Sequence, residues 1–153
     1  MWQMHVMLMG CGGREHALAW KIGQSPRLTR LSVVGVNPGF GDDAHQVEGD
    51  PVHYAATESV DLVVIGPEAP LASGISDQLV AAGIPVFGPS QAAAQLESSK
   101  TFAKKFMDRH HIPTAGWSVH TDEASALDAV SGPCVIKADG LAGGKGVIVA
   151  TTK

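Results

Sequence analysis

Val6-Met7-Leu8-Met9-Gly10-Cys11-Gly12-Gly13-Arg14-Glu15-His16 is the stretch on which the fold turns. Four apolar residues in succession read as a buried parallel strand. A glycine turn ends it. Arg14 to Gln24 then has a helical pattern, with Leu18 and Ile22 one turn apart and Ser25-Pro26 closing it. Leu31 to Val36, rich in β-branched residues, reads as a second strand, followed by the loop Asn37-Pro38-Gly39-Phe40-Gly41. Leu62-Val63-Val64-Ile65 is the clearest strand in the chain. Leu71, Ile75 and Leu79 share one helical face, Gly83 stops that helix, and Pro85-Val86-Phe87 is a further short strand. The expected class is α/β, with an N-terminal doubly wound, Rossmann-like parallel sheet. Ligands bind such sheets outside the carboxyl ends of the strands. That singles out loops 10–16, 37–44 and 66–71.

A second unit is expected from a soft seam over 88–100, giving domains 1–95 and 96–153. Ser90 is placed to cap a short helix through Leu96, and Phe102 and Phe106 mark one face of a helix from Thr101 to Arg109. Trp117 to Val119 reads as a strand, and Thr121 as the N-cap of a helix from Asp122 to Val130. Cys134 to Ala138 and Val147 to Ala150 read as two strands around a glycine-dense loop.

Fifteen acidic against eleven basic residues give a formal charge of −4, which argues against nucleic acid as a partner. No apolar stretch approaches the ~20 residues needed to span a bilayer, so no membrane partner is expected. The N-terminus lacks the charged start and apolar core of a signal peptide. Cys11 and Cys134 match no zinc or redox spacing, and a cytoplasmic protein is the simplest reading. His45 and His53 lie in polar connecting sequence and His110 and His111 are adjacent; no metal ligands are assigned among them.

Three loops carry the chemistry. Gly10, Gly12 and Gly13 with Arg14 lie where backbone N–H groups at a helix N-terminus favour phosphate. A dinucleotide fingerprint would require glycine at Glu15 and an acid after the second strand, where the chain has Gly35-Val36-Asn37. Packing glycines remain the other reading of this turn. In Gly66-Pro67-Glu68-Ala69-Pro70-Leu71, Pro67 and Pro70 stiffen a loop that presents Glu68 either to an amine or ribose hydroxyls, or as a helix cap. Lys137-Ala138-Asp139-Gly140-Leu141-Ala142-Gly143-Gly144-Lys145-Gly146 sits between two strand-like runs and reads as a β-hairpin lid. Its glycines let N–H groups approach a polyanion, and Lys137 and Lys145 add charge. A Walker loop is ruled out, because Gly146 follows Lys145 and Asp139 stands five before Gly144. An ordinary glycine-rich hairpin with two exposed lysines is the alternative.

Taken together, these segments closely resemble the phosphoribosylamine–glycine ligase family of ATP-grasp enzymes. The matching runs are Gly10 to Ala17, Gly66 to Leu71, Phe87 to Pro89, Leu96 to Lys100, Ile112 to Ala115 and Val135 to Val147, in the family's order along nearly the whole chain. Gly143 stands in place of the family's second alanine. The resemblance implies a pre-ATP-grasp domain followed by the start of an ATP-grasp domain with its lid. It implies an activity of purine biosynthesis in which ATP phosphorylates glycine and the amine of 5-phosphoribosylamine attacks, giving glycinamide ribonucleotide, ADP and phosphate. Gly10, Gly12, Gly13 and Arg14 would hold the ribose phosphate, with Glu68 and Pro70 facing the ribosylamine. Lys100 and Lys137 would reach the ATP phosphates under a lid formed by Gly140, Gly143, Gly144, Lys145 and Gly146. Catalytic residues stay unassigned. Mg²⁺ is implied as a cofactor, its ligands, like the glycine site, expected beyond Lys153, so the chain is read as an N-terminal portion that does not turn over by itself and that is monomeric at full length. Two departures from the family are Cys11 and the loop Pro38-Gly39-Phe40-Gly41-Asp42-Asp43. The rival readings are another ATP-grasp ligase and a non-catalytic ribose-phosphate-binding fragment.

Overall fold

The computed structural model describes residues 3–42 and 44–152. Asp43 of the 37–44 loop and Lys153 at the end of the second expected domain lie outside the described residues. The chain divides into two compact units, 1–94 and 95–153.

Unit 1 is built on β1 (Met4–Met9), α1 (Gly13–Gly23), β2 (Leu28–Val34), β3 (Ala44–Gln46), α2 (Pro51–Thr57), β4 (Leu62–Ile65), α3 (Glu68–Ala72), α4 (Ile75–Ala81) and β5 (Val86–Phe87). The five strands form one parallel sheet in the order β3-β2-β1-β4-β5. Side chains alternate between the faces of a strand, and β1 divides accordingly. Met7 and Met9 join Val63, Ile65, Ala55 and Leu79 on one side, while Val6 and Leu8 join Ala19, Leu31 and Val33 on the other. Helices therefore cover both faces, and the central strand is apolar from Val6 to Met9 because neither face sees water there. The sheet order reverses at β1, with β2 on one side and β4 on the other. The loops after β1 and β4 thus flank the point where such sheets bind ligands.

One polar chain runs through the unit 1 interior. His5 is buried, with Nδ1 3.1 Å from the Glu58 carbonyl and Nε2 2.7 Å from Ser32 Oγ, which lies 2.9 Å from the Tyr54 hydroxyl. A carbonyl only accepts, so Nδ1 carries the proton and the neutral ring accepts from Ser32 at Nε2. Burial, reinforced by the positive charge of Arg30, holds the His5 pKa below its ordinary 6.5, against the opposing pull of the Glu58 carbonyl.

Two readings of unit 1 are corrected. The helix expected across Leu71, Ile75 and Leu79 is two helices, because Gly74 adopts φ +86° and its N–H closes onto the Leu71 carbonyl at 3.0 Å. A left-handed glycine just past a helix ends it. The polar segment holding His45 and His53 contains β3 and α2. Asp50 caps α2 through the His53 N–H at 2.7 Å, and Pro51 takes its first position.

Helix α5 (Gln91–Ser98) crosses the boundary between units, and Ser90 Oγ accepts the Ala93 N–H at its start. Unit 2 then holds α6 (Lys100–Arg109), α7 (Glu123–Ala129), and β6 (Cys134–Lys137) paired antiparallel with β7 (Val147–Ala150). Trp117 to Val119 is not a strand; among the described residues no strand pairs with it, and Trp117 Nε1 donates to Asp108 at 3.1 Å. Asp122 rather than Thr121 caps α7, accepting the Ser125 N–H at 2.8 Å. Every buried residue among the described ones lies in unit 1, and unit 2 has none.

Candidate functional site

Three strand-end loops of unit 1 are stitched together around Glu15. Gly12 is the N-cap of α1 and has no side chain to cap with. Glu15, at the third helical position, instead reaches back to the Gly12 N–H at 2.8 Å, which is the acidic half of a capping box. Its other oxygen accepts from Arg14 Nε at 2.7 Å. Only 3% of Glu15 is exposed. Burial would raise its pKa, but the hydrogen bonds from Arg14 and Gly12 outweigh burial and hold the carboxyl below its usual range.

The same side chain explains two glycines. A Cβ on Gly10 would lie 2.7 Å from Glu15 Cγ and 2.7 Å from Pro67 Cδ, and one on Gly66 would collide with the Glu15 carboxylate. The 37–41 loop joins from the other side. Asn37 Nδ2 donates to the carbonyls of Cys11 at 2.9 Å and Gly12 at 3.3 Å, and the Asn37 side-chain oxygen holds the Gly39 N–H at 2.8 Å. The His16 ring lies against Gly39 where a Cβ would fall.

Arg14 stands where these loops meet. Its guanidinium is more than half exposed and lies 3.9 Å from Glu68, the first residue of α3. That pair is solvated and adds little stability. It does bring Gly10, Gly12, Gly13, Arg14 and Glu68 to one end of the sheet, with Pro70 the third residue of α3. Glu15 consumes the Gly12 N–H, whereas the Gly13 and Arg14 N–H groups have no protein acceptor among the described residues. An anion here would meet two N–H groups and a guanidinium with donors to spare. Glu15, Asn37 and His16 were not singled out as site residues from the sequence. Gly-x-x-Glu at a helix start was the one local signal, weakened by the missing N-cap side chain.

In unit 2, the loop between β6 and β7 turns through Gly140 (φ +87°), Gly143 (φ +54°) and Gly144 (φ +76°). At Gly143 the left-handed backbone suits glycine better than the alanine it replaces. Gly146 has another reason: a Cβ there would lie 2.6 Å from that of Ala142. Lys137 and Lys145 are exposed, and neither ammonium has a partner among the described residues. Lys100 begins α6 and donates its Nζ to the Gly140 carbonyl at 2.8 Å. Asp139, given no role from the sequence, accepts the Lys100 N–H at 2.6 Å, the Gly140 N–H at 3.0 Å, the Thr101 N–H at 3.3 Å and the Ser99 hydroxyl at 3.2 Å. Burial raises its pKa, but the Thr101, Gly140 and Lys100 donors prevail and lower it.

Two family models cover the chain: the phosphoribosylglycinamide synthetase N domain over residues 4–97 and the ATP-grasp (A) domain of the same synthetase over residues 98–153. The chain belongs to the phosphoribosylglycinamide synthetase family. Curated relatives named phosphoribosylamine–glycine ligase include one from Mesorhizobium japonicum, 53% identical over 97% of this chain, and one from Rhizobium meliloti, 53% identical over 96%. The chain spans 37% of the length of each. A crystal structure of phosphoribosylamine–glycine ligase from Thermotoga maritima is 30% identical and matches with a TM-score of 0.77, over 97% of this chain and 36% of that one. An ADP complex of N5-carboxyaminoimidazole ribonucleotide synthetase matches at 17% identity and a TM-score of 0.73, over 100% of this chain and 42% of that one, a likeness of fold. Within the phosphoribosylglycinamide synthetase family, then, unit 1 corresponds to the N domain and its stitched loops, and unit 2 to the stretch of the ATP-grasp domain that carries Lys100 and the glycine hairpin.

Proposed function

We propose that the chain supplies the ribosylamine-binding domain and the lysine-bearing phosphate loop of a phosphoribosylamine–glycine ligase, joining 5-phosphoribosylamine to glycine at the expense of ATP. The observation that carries this is the meeting of loops 10–16, 37–41 and 66–71 around Arg14, at the end of the sheet where its strand order reverses. Arg14 and the free N–H groups of Gly13 and Arg14 suit a phosphate. Glu68, 3.9 Å from Arg14, suits an amine or hydroxyl on the sugar. A carboxylate buried at position 15 fills the place where a dinucleotide fold keeps glycine, which supports a monophosphate in preference to a dinucleotide.

Lys100, Lys137, Lys145 and the loop from Gly140 to Gly146 suit the phosphates of ATP, which when bound would supply the phosphoryl group that activates a carboxylate. The lysines neutralise charge that grows on the transferred group. Mg²⁺ finds no ligand set here: no three His, Cys, Asp or Glu side chains gather among the described residues, and Asp139 is engaged by the Ser99, Lys100, Thr101 and Gly140 donors. We expect no glycine-dependent ADP release from these 153 residues by themselves.

Calorimetry with ribose 5-phosphate tests the reading. The wild-type chain should bind, and Arg14→Gln should weaken binding at least tenfold while far-UV circular dichroism is unchanged. No binding by the wild type, or equal binding by the folded variant, would overturn it.

A further inference from the structure

We propose that Asp139 is a positioning residue that clasps the glycine loop to the first turn of α6, so that Lys100 and the loop meet a polyphosphate as one preset unit. The inference rests on the nucleotide reading of the loop.

A helix start leaves N–H donors without partners, and α6 has already solved part of that problem. Ser99 caps it, accepting the Phe102 N–H at 3.1 Å. Asp139, thirty-nine positions from Lys100, takes two more of the orphan donors, on Lys100 and Thr101. With these taken, the α6 N-terminus offers little to a phosphate, which leaves the lysine ammonium groups and the loop to do the binding. Lys100 is gripped twice by one peptide segment: its N–H by Asp139 and its Nζ by the Gly140 carbonyl. A lysine ammonium has three donors, so the bond to Gly140 leaves two for a ligand. A long, flexible side chain is thereby held beside the loop before any ligand arrives, and binding need not order it.

Asp139 carries a negative charge beside an anion site. As a spectator charge it would repel polyphosphate, and its removal would tighten binding. As a positioning residue its removal must weaken binding.

The test uses the 153-residue chain with inorganic tripolyphosphate as probe, read by calorimetry, together with amide hydrogen exchange. Asp139→Ala should speed exchange at Lys100, Thr101 and Gly140 at least tenfold, leave the amides of α7 unchanged, and raise the tripolyphosphate Kd about fivefold to tenfold. Asp139→Asn, whose amide oxygen still accepts N–H groups, should recover part of the loss. Asp122→Ala, which removes a negative charge and the cap of α7 without touching the clasp, should change Kd less than twofold. Unchanged exchange at Gly140 and Lys100, or a Kd that is unchanged or falls in Asp139→Ala, would overturn the proposal. If the wild type binds no tripolyphosphate, the nucleotide reading fails and the positioning role falls with it; the exchange data then report separately on the clasp.

Discussion

The carboxylate of Glu15 occupies the space that a Cβ on Gly66 would need, although the two residues are fifty-one positions apart. Gly66 directly follows β4, and its N–H continues the ladder to the Met9 carbonyl at 3.1 Å. The acid that closes the first turn of α1 is therefore also the packing surface for the loop after β4. One side chain fixes the spacing of the two loops that flank the reversal of strand order.

Glu15→Ala should cost about 2–3 kcal/mol in urea denaturation, because a buried charge-assisted pair and a helix-closing bond go together. Glu15→Gln keeps an acceptor for Gly12 and should cost less. The pH dependence has a definite sign. Glu15 has a folded pKa below its ordinary 4.5, so its stabilisation is present above that pH and is lost as the pH falls through the folded value. In Glu15→Gln that acid-limb contribution should be missing from a plot of stability against pH below about 4.5.

Gly66→Ala and Gly39→Ala look alike on paper, since both place a Cβ onto a side chain and neither backbone is left-handed. They should behave differently. At Gly66 the obstacle is a buried carboxylate tied to Gly12 and Arg14, and the cost should reach about 2 kcal/mol or more. At Gly39 the obstacle is the exposed His16 ring, which can rotate away, for a cost under about 0.5 kcal/mol. A double-mutant cycle of Gly66→Ala with Glu15→Ala should show strong non-additivity, the second change relieving the first. Additive effects would mean that the carboxylate is not the obstacle.

His5 makes unit 1 acid-sensitive in a second window. Its folded pKa lies below 6.5, so the unfolded chain takes up a proton first as the pH falls, and stability declines from about 6.5 downward. Denaturant midpoints measured at pH 7.5 and 5.5 should diverge more for the wild type than for His5→Gln. Equal divergence would show that the ring is not held neutral.

Unit 2 should open before unit 1. None of its described residues is buried, and Val135, Ile136, Val147, Ile148 and Val149 of its hairpin all stand roughly half-exposed or more. Elements with few buried apolar contacts exchange and are cleaved through low-energy openings. Limited proteolysis should remove residues beyond about 95 and leave a stable core matching 1–94. First cuts within β1, β2 or β4 would contradict this.

The sequence by itself determined the parts that repeat locally. Apolar runs ending in glycine located β1 and β4, apolar runs on either side of a glycine-dense loop located β6 and β7, and the order of glycine and proline motifs pointed to the family. Short elements were harder to read: β3, with three residues, and α2, with seven, are too short to set a period, and a single glycine at 74 split a helix that periodicity ran together. What only the tertiary structure decided is which distant groups meet. Glu15 against Gly66, Asn37 on Cys11, and Asp139 on the start of α6 are pairings between segments far apart in sequence. Periodicity reports which face of an element is apolar, and nothing in it encodes the partner of a polar side chain. Those partners are set only when folding brings the segments together, and burial makes the pairing obligatory for Glu15, whose carboxylate must find donors inside the fold.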